Sequence, residues 1–503
     1  MTSPGSEPFR RGFKRLTCPV LITRHGGLDG VALQKEEYHK LLNDLGIYIH
    51  VVTGREETRF GPISPHGQLR TVIARLDLAH PDSRRLYANA FCHGPETDGA
   101  EVLTDKQWMA LFDDHRRHIR AGVEKVLQNI PDNTPVFVYN LLSLRHLHPA
   151  AAVAIKELIG EYPLRAFLSH SADPDSERPG QISRLKGFVR TLISANSPLG
   201  PYSGGPYQYP NLFHIVLNPT QREAFTETFA VPVDHVFEIP DFLEFKTREA
   251  NLTGTPEPGF MAYLSRHAVT PIENSYGYTT VPVKKDAVIF LSPVRPVARK
   301  QLKEAMVAAH QYGLSRDRSV CFVVTHPDID DPRYFLETVR FASRLGVHYL
   351  HLGNDFAVDT LTYVYTNMAA LDCVGVVASS AGGWENALNE MANAGIPFFM
   401  NRRLNSFRPL TEHIGIRCHG MDFEVLEKVL TGWTDRELAQ RPLWHAPQVA
   451  ALFEWIDDVL SPARRSSLIR HNYRRAFRHL SSQATALKLW RLVWEIYARM
   501  NLR

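Results

Sequence analysis

Along most of this chain, short apolar runs rich in β-branched residues alternate with longer stretches whose apolar residues recur every three or four positions. A short, wholly apolar run suits a strand buried on both faces, and the amphipathic stretches suit helices packed over such strands. Alternation of the two is the pattern of βαβ units around a parallel sheet, so the sequence predicts an α/β fold. The first series places strands at 20–23, 47–53, 136–139, 166–169, 214–217 and 236–239. After the first strand come a Gly-rich turn and a helical pattern through Val31, Tyr38, Leu41, Leu42 and Leu45, which Gly46 stops. Between 247 and 282 the pattern dissolves into Thr, Pro, Gly and Asn. A second series then places strands at 287–291, 320–325, 348–352, 375–378 and 397–400, with a helix carrying Val358, Leu361, Val364, Met368 and Leu371 between two of them. The expected organisation is a polar tail at 1–15, an α/β domain at 16–246, a linker at 247–286, a second α/β domain at 287–460 and a helical segment at 461–503.

Length and charge narrow the function classes. A chain of 503 residues with 44% hydrophobic and 22% charged residues is neither disordered nor fibrous, and it can build two cores without metals or disulfides. Lys plus Arg is 57 against 53 for Asp plus Glu, and a net charge of +4 is too small to suggest nucleic acid as a partner. The arginines of the last segment (Arg464, Arg465, Arg470, Arg474, Arg475, Arg478) are interrupted by apolar residues at helical spacing and read as a solvated face. Five cysteines without a Cys-x-x-Cys pair give neither a zinc site nor a disulfide framework, which fits a reducing compartment. The apolar stretch after the basic N-terminus is too short for a signal sequence, and no apolar run approaches the roughly 18 residues of a membrane span. A soluble cytoplasmic protein is expected, with its oligomeric state unspecified by the sequence.

Three clusters carry chemistry. Gly26 and Gly27 lie between the first strand and its helix, where glycine lets an anion approach backbone N–H groups at a helix start. Simple packing of a βα turn would use the same residues. Arg295, Arg299 and Lys300 follow the first strand of the second series, at the end of a parallel strand that faces a ligand crevice. Arg295 with Lys300 suits a diphosphate, one as a planar fork and the other as a point charge. In the third cluster a strand ends near Ala378, Gly382 and Gly383 turn the chain, and a helix runs on through Trp384, Glu385, Asn386 and Glu390 until Gly395 and Pro397. Amides at its start, at Gly383 and Trp384, suit a phosphate, and Glu390 suits two ribose hydroxyls.

In this order, the clusters resemble the retaining nucleotide-sugar glycosyltransferases of family 4, which have the GT-B fold. Arg295 and Lys300 match that family's Arg-x4-Lys pair, and residues 390–397 match its Glu-Ala-Met-Ala-x-Gly-x-Pro segment at Glu390, Gly395 and Pro397. The stretch with Thr325, His326, Tyr334 and Gly346 resembles the region between these motifs more loosely. The resemblance implies two Rossmann-like domains with parallel sheets facing across a cleft, followed by C-terminal helices. It also implies an acceptor side in 16–246 and a donor side in 287–460. One position departs from the family: its first acid, eight residues before the second, is replaced by Gly382. In the family that acid reaches the transferred sugar. Glu385 either substitutes for it or serves the helix dipole as a first-turn carboxylate. His170, at a strand end in the first half, resembles the family's histidine near the donor sugar, although a lone histidine is more often structural. The loop 196–211, rich in Pro, Gly and Tyr, suits an acceptor site.

The resulting expectation is transfer of a hexose from a nucleotide-sugar donor, a UDP- or GDP-hexose, to an acceptor hydroxyl with retention of configuration. His170, Arg295, Lys300 and Glu385 take catalytic roles. Gly26, Gly27, Gly382, Gly383, Trp384, Asn386 and Glu390 join Arg295 and Lys300 around the donor. No cofactor is implied, and no Asp-x-Asp after a strand offers a metal site; Asp328, Asp330 and Asp331 read as a turn before a helix. A catalytically silent GT-B scaffold, motivated by Gly382, is the rival from another class; an epimerase or a phosphorylase would share the architecture, but no pyridoxal-phosphate lysine signature is visible.

Overall fold

The apolar runs become parallel strands because a strand covered by helices on both faces has no polar side. The computed structural model describes residues 20–23, 37–38, 40–42, 49–55, 70–93, 97, 99, 101–143, 145–170, 179–193, 209–245, 249, 252, 254–267, 269–274, 277–282, 287–326, 331–352, 361–382 and 384–501. It divides into two units, one of Met1–Asp241 with Thr485–Arg503 and one of Phe242–Ala484.

In the first unit, β1 (Val20–Ile22), β2 (His50–Thr53), β3 (Arg70–Val72), β4 (Val136–Tyr139), β5 (Phe167–His170), β6 (Leu212–Val216) and β7 (Val236–Glu238) make a parallel sheet in the order β3-β2-β1-β4-β5-β6-β7. β1, β4, β5 and β6 are buried at every position. Ile22 and Val138 pack with Ile119 and Val123 of the helix Asp105–Leu127 and with Ile155 and Leu158 of the helix Pro149–Glu161. The first of these helices starts on a capping box between Thr104 and Gln107. Beyond its other end, Arg165, only 1% exposed, donates to the carbonyls of Leu127, Ile130, Pro131 and Thr134 and to Asp132. A buried guanidinium is tolerated there because both of its terminal nitrogens find acceptors.

In the second unit, β10 (Val288–Ser292), β11 (Val320–Val324), β12 (His348–His351), β13 (Cys373–Val377), β14 (Phe398–Asn401) and β15 (His419–Met421) run parallel in the order β15-β14-β13-β10-β11-β12. An antiparallel hairpin of β8 (Val269–Asn274) and β9 (Gly277–Pro282) extends that sheet beyond β12, through Tyr349 opposite Val269. The linker expected at 247–286 therefore carries this hairpin and the helix Pro258–His267. Its strand formers are hidden in the sequence among Pro, Gly and Asn, which a hairpin at a sheet edge tolerates.

Strand succession reverses between β1 and β4 in one sheet and between β10 and β13 in the other. Such switch points open a crevice at the carboxyl ends of the strands. The expected single segment 461–503 is instead two helices, Pro462–Leu480 and Ser482–Asn501, interrupted where Ser481 is extended with ψ 156°. The second helix buries Leu489, Leu492, Val493 and Ile496, and residues from Thr485 onward belong to the first unit. The arginines of the first helix are not a uniform solvated face. Arg464, Arg470, Arg474 and Arg478 are exposed, whereas Arg465 donates to the carbonyls of Ala369, Leu371 and Cys373, and Arg475 to that of Ile414. No helix among the described residues is long and apolar enough to cross a membrane.

Candidate functional site

β10 and β13 lie side by side, with Phe290 opposite Val374 and Leu291 opposite Gly375, so the loops that leave their carboxyl ends meet at the switch point. Backbone joins them. The Ser380 N–H and hydroxyl both donate to the Arg299 carbonyl, at 2.9 and 3.2 Å, and the Arg299 guanidinium donates to the Ala381 carbonyl at 3.1 Å. Arg299 and Lys300 sit on the 3-10 turn Ala298–Lys300 that precedes the helix Leu302–Arg316.

Lys300 is 5% exposed and its ammonium donates to Glu385 Oε2, while Arg299 Nη1 lies 3.8 Å from Glu385 Oε1. Burial alone would raise the Glu385 carboxyl, but Lys300 and then Arg299 override it and hold it below the ordinary carboxylate range. Burial pushes Lys300 down to about 7, against the pull of Glu385 and with Arg299 and Arg295 pushing the same way. Glu385 occupies the N-cap position of the helix Asn386–Ala394 yet makes no capping hydrogen bond. Its carboxylate therefore serves the cations rather than the helix start. Gly382 has φ +153°, and a Cβ there would stand 2.8 Å from Glu385 Oε1. The Glu385 carboxylate thus holds the space that a side chain at 382 would need.

Trp384, largely buried, donates from Nε1 to Asn389 Oδ1 at 3.3 Å. Because the helix begins at Asn386, the Trp384 amide lies ahead of the first turn, contrary to the expected helix start at Gly383 and Trp384. Asn386, half-buried, opens the helix. Gly26, Gly27 and Gly383 lie outside the described residues, as does 196–208 of the Pro/Gly/Tyr loop. A Cβ on Gly375 would fall 2.1 Å from Met391 Sδ, so only glycine lets this helix lie so close to β13. That close approach fixes where Glu390 stands. Glu390 Oε2 is buried with no hydrogen-bond partner among the described residues, and burial raises the carboxyl to about 7 against the help of the Tyr365 hydroxyl.

Tyr365, on the helix Leu361–Ala369, brings its hydroxyl within 3.3 Å of Thr325 Oγ1, which is itself 3.0 Å from His326 Nδ1. Burial, then Arg295 and Lys300, lower the His326 imidazole to about 4. Arg295, half-buried, is thus close enough to act electrostatically on both Lys300 and His326. Asp331 caps the helix Pro332–Leu345, accepting from the Tyr334 N–H at 3.0 Å.

The structure therefore brings Arg295, Lys300, Gly382, Glu385 and Asn386 to one strand edge in the second unit, with Glu390 on the helix that follows. Sequence reasoning named Arg299 among the three cations and His326 within the loosely resembling stretch, without giving either a site role, and missed Tyr365, which carries no motif of its own. His170 stands apart, in the first unit. It closes β5, is 5% exposed, stacks on Tyr139 with ring centroids 4.4 Å apart, and has Asn140 Oδ1 3.3 Å from Nδ1 and Asp241 Oδ1 3.6 Å from Nε2.

No protein-family model matches the chain. The mannosylglucosylglycerate synthase of Thermotoga maritima is 23% identical over 384 residues, covering 75% of this chain and 79% of that protein. Trehalose-6-phosphate synthase OtsA superposes with a TM-score of 0.58 at 12% identity, over 95% of this chain and 99% of its own. Anabaena HepE, solved in complex with UDP, gives 0.54 at 10% identity, over 94% and 98%. The fold is GT-B. Likeness at such identities speaks for architecture, and two parallel sheets of seven and six strands, each with its switch point, are that architecture.

Proposed function

We propose that this chain is a glycosyltransferase, retaining and akin to family 4, that transfers a hexose from a UDP- or GDP-hexose to an acceptor hydroxyl. The observation that carries this reading is one switch point where Arg295, Arg299 and Lys300 gather beside a helix whose Glu390 keeps a buried, unpartnered oxygen. Cations suit a diphosphate, and a carboxylate oxygen lacking a donor suits ribose hydroxyls. The UDP bound to HepE and the mannosyl and glucosyl units in the name of the Thermotoga relative support a nucleoside diphosphate carrying a hexose.

On this reading the bond from the anomeric carbon to the diphosphate breaks while Arg295, Arg299 and Lys300 neutralise the charge that develops on the leaving group. The acceptor oxygen bonds to the anomeric carbon on the face being vacated, and its proton passes to the departing phosphate oxygen. Configuration is thereby retained without a carboxylate nucleophile. Glu385, holding the space above Gly382, replaces the family's first acid toward the sugar hydroxyls. Asn386 and the backbone at Gly382 and Trp384 line the donor, and His170 keeps the catalytic role expected of it. No metal takes part.

Thermal stabilisation by UDP, GDP and their hexose derivatives, followed by mass spectrometry of products with candidate acceptors in excess EDTA, tests the reading. Stabilisation and metal-independent product are expected. A chain that none of these ligands stabilises is not a transferase of this kind.

A further inference from the structure

We propose that His326 is a further diphosphate-binding group, an imidazole that takes up a proton when the diphosphate arrives; this rests on the donor-site reading above. β11 pairs with β10 on the side opposite β13, with Val323 opposite Leu291 and Val324 opposite Ser292. His326, just beyond β11, therefore leaves the sheet at the same edge as Arg295, just beyond β10. Two contacts hold it there. Its Nδ1 lies 3.0 Å from Thr325 Oγ1, and its carbonyl accepts from His351 Nε2 at 2.7 Å. Nε2 is the ring nitrogen left for a ligand.

The charged and titratable groups that face His326 are Arg295, Lys300, Glu385 and His351. Two of these are the cations of the expected diphosphate site, and Glu385 is already engaged by Lys300. In the free protein a further positive charge at this edge would be repelled as well as poorly solvated, which agrees with an imidazole lowered to about 4. A bound diphosphate reverses the field. Its oxygens neutralise Arg295 and Lys300 and favour a proton on Nε2, taken from solvent, which then donates to a phosphate oxygen. A neutral group that charges on demand avoids the cost of adding another cation to this cluster when the site is empty.

The tautomer required is supplied by neighbours. Thr325 Oγ1 lies 3.3 Å from the Tyr365 hydroxyl, on which the Glu390 carboxylate acts in turn. With Glu390 ionised, Tyr365 donates to it, Thr325 donates to Tyr365, and His326 Nδ1–H donates to Thr325, which leaves the Nε2 lone pair free to take the proton. Ribose hydroxyls that hold Glu390 ionised thus set His326 for the phosphates of the same ligand.

Solution NMR of the full chain with 15N-labelled histidine rings tests this, the His326 signal being assigned by its loss in His326→Gln. On saturation with UDP or GDP, the His326 transition should rise by about one to three pH units, as an adjacent opposite charge does elsewhere. Uridine or guanosine, lacking phosphates, should leave it in place. His326→Gln should weaken UDP or GDP binding about ten-fold, as loss of a charge-assisted contact does. If UDP or GDP binds while His326 stays neutral throughout, the inference is overturned and the donor-site reading stands. If neither nucleotide nor any of their hexose derivatives binds, the donor-site reading fails and His326 falls with it.

Discussion

His170 and His326 stand at the carboxyl ends of parallel strands, one in each unit, and their surroundings are opposite in sign. His170 has a carboxylate, Asp241, 3.6 Å from Nε2, an amide oxygen near Nδ1 and an aromatic ring beneath it. His326 has Arg295 and Lys300 as its strongest charged neighbours. A carboxylate orients an imidazole and steadies any positive charge that forms on it, whereas cations hold the ring neutral until an anion intervenes. Similar sheets thus offer similar strand-end positions, and the loops around them decide which charges meet a histidine placed there.

The sharpest way to break that division is to remove His170. His170→Ala should reduce turnover about 10²- to 10³-fold, the range for losing one group that stabilises the transition state. Calorimetry should find its affinity for UDP or GDP unchanged. A matching loss of affinity would place both histidines in one binding site and end the contrast.

Next in size is Lys300→Ala, which strands the buried Glu385 carboxylate beside Arg299 alone. Breaking a buried pair from one side costs about 3–5 kcal/mol, read as a lower denaturation midpoint. Lys300→Ala with Glu385→Gln should recover most of that stability but not the affinity for pyrophosphate. Recovery of both would mean that Lys300 serves the fold and not the ligand. Gly382→Ala should cost less, about 1–3 kcal/mol, because φ +153° suits glycine alone and the new Cβ would meet Glu385 Oε1. In a Glu385→Ala background the contact is absent but the backbone strain remains, so Gly382→Ala should cost less there than in the wild type, though not nothing, in urea unfolding. No cost at all in that background would show that crowding, and not φ, is what keeps residue 382 a glycine.

How far the sequence was legible follows the same physics. Central strands such as β4, β10 and β13 stood out because burial on both faces leaves them wholly apolar. Edge elements did not: β3 is three residues with Arg70 and Thr71, β15 contains Gly420, and the β8–β9 hairpin carries Pro271 and Pro282. Within the site, Arg295, Lys300 and Glu390 were readable from their spacing and from the family they resemble. The pairing of Lys300 with Glu385, 85 positions away, was not, because it depends on β10 lying next to β13, which nothing local encodes. His326 was named in the sequence without a role for the same reason, since its charged neighbours arrive from the loop after β10.

The smallest expected effect is also the most direct probe of the two ends of the donor site. Burial raises the Glu390 carboxyl to about 7, above its unfolded value, so in the free protein the folded state holds more protons between the two and this group's contribution to stability falls as pH rises through that window, levelling above 7. Ribose hydroxyls donate best to the ionised form, so affinity for uridine or guanosine should rise about ten-fold between pH 5.5 and 8. Lys300, lowered to about 7, does the reverse: its charge is present below that pH and lost above it, so pyrophosphate affinity should fall over the same range. Calorimetry with the two ligands should therefore give slopes of opposite sign, Glu390→Gln flattening only the nucleoside's and Lys300→Met only the pyrophosphate's. Parallel slopes would mean that one titrating group governs both ends, and the separation of ribose and diphosphate recognition between Glu390 and the cations would be lost.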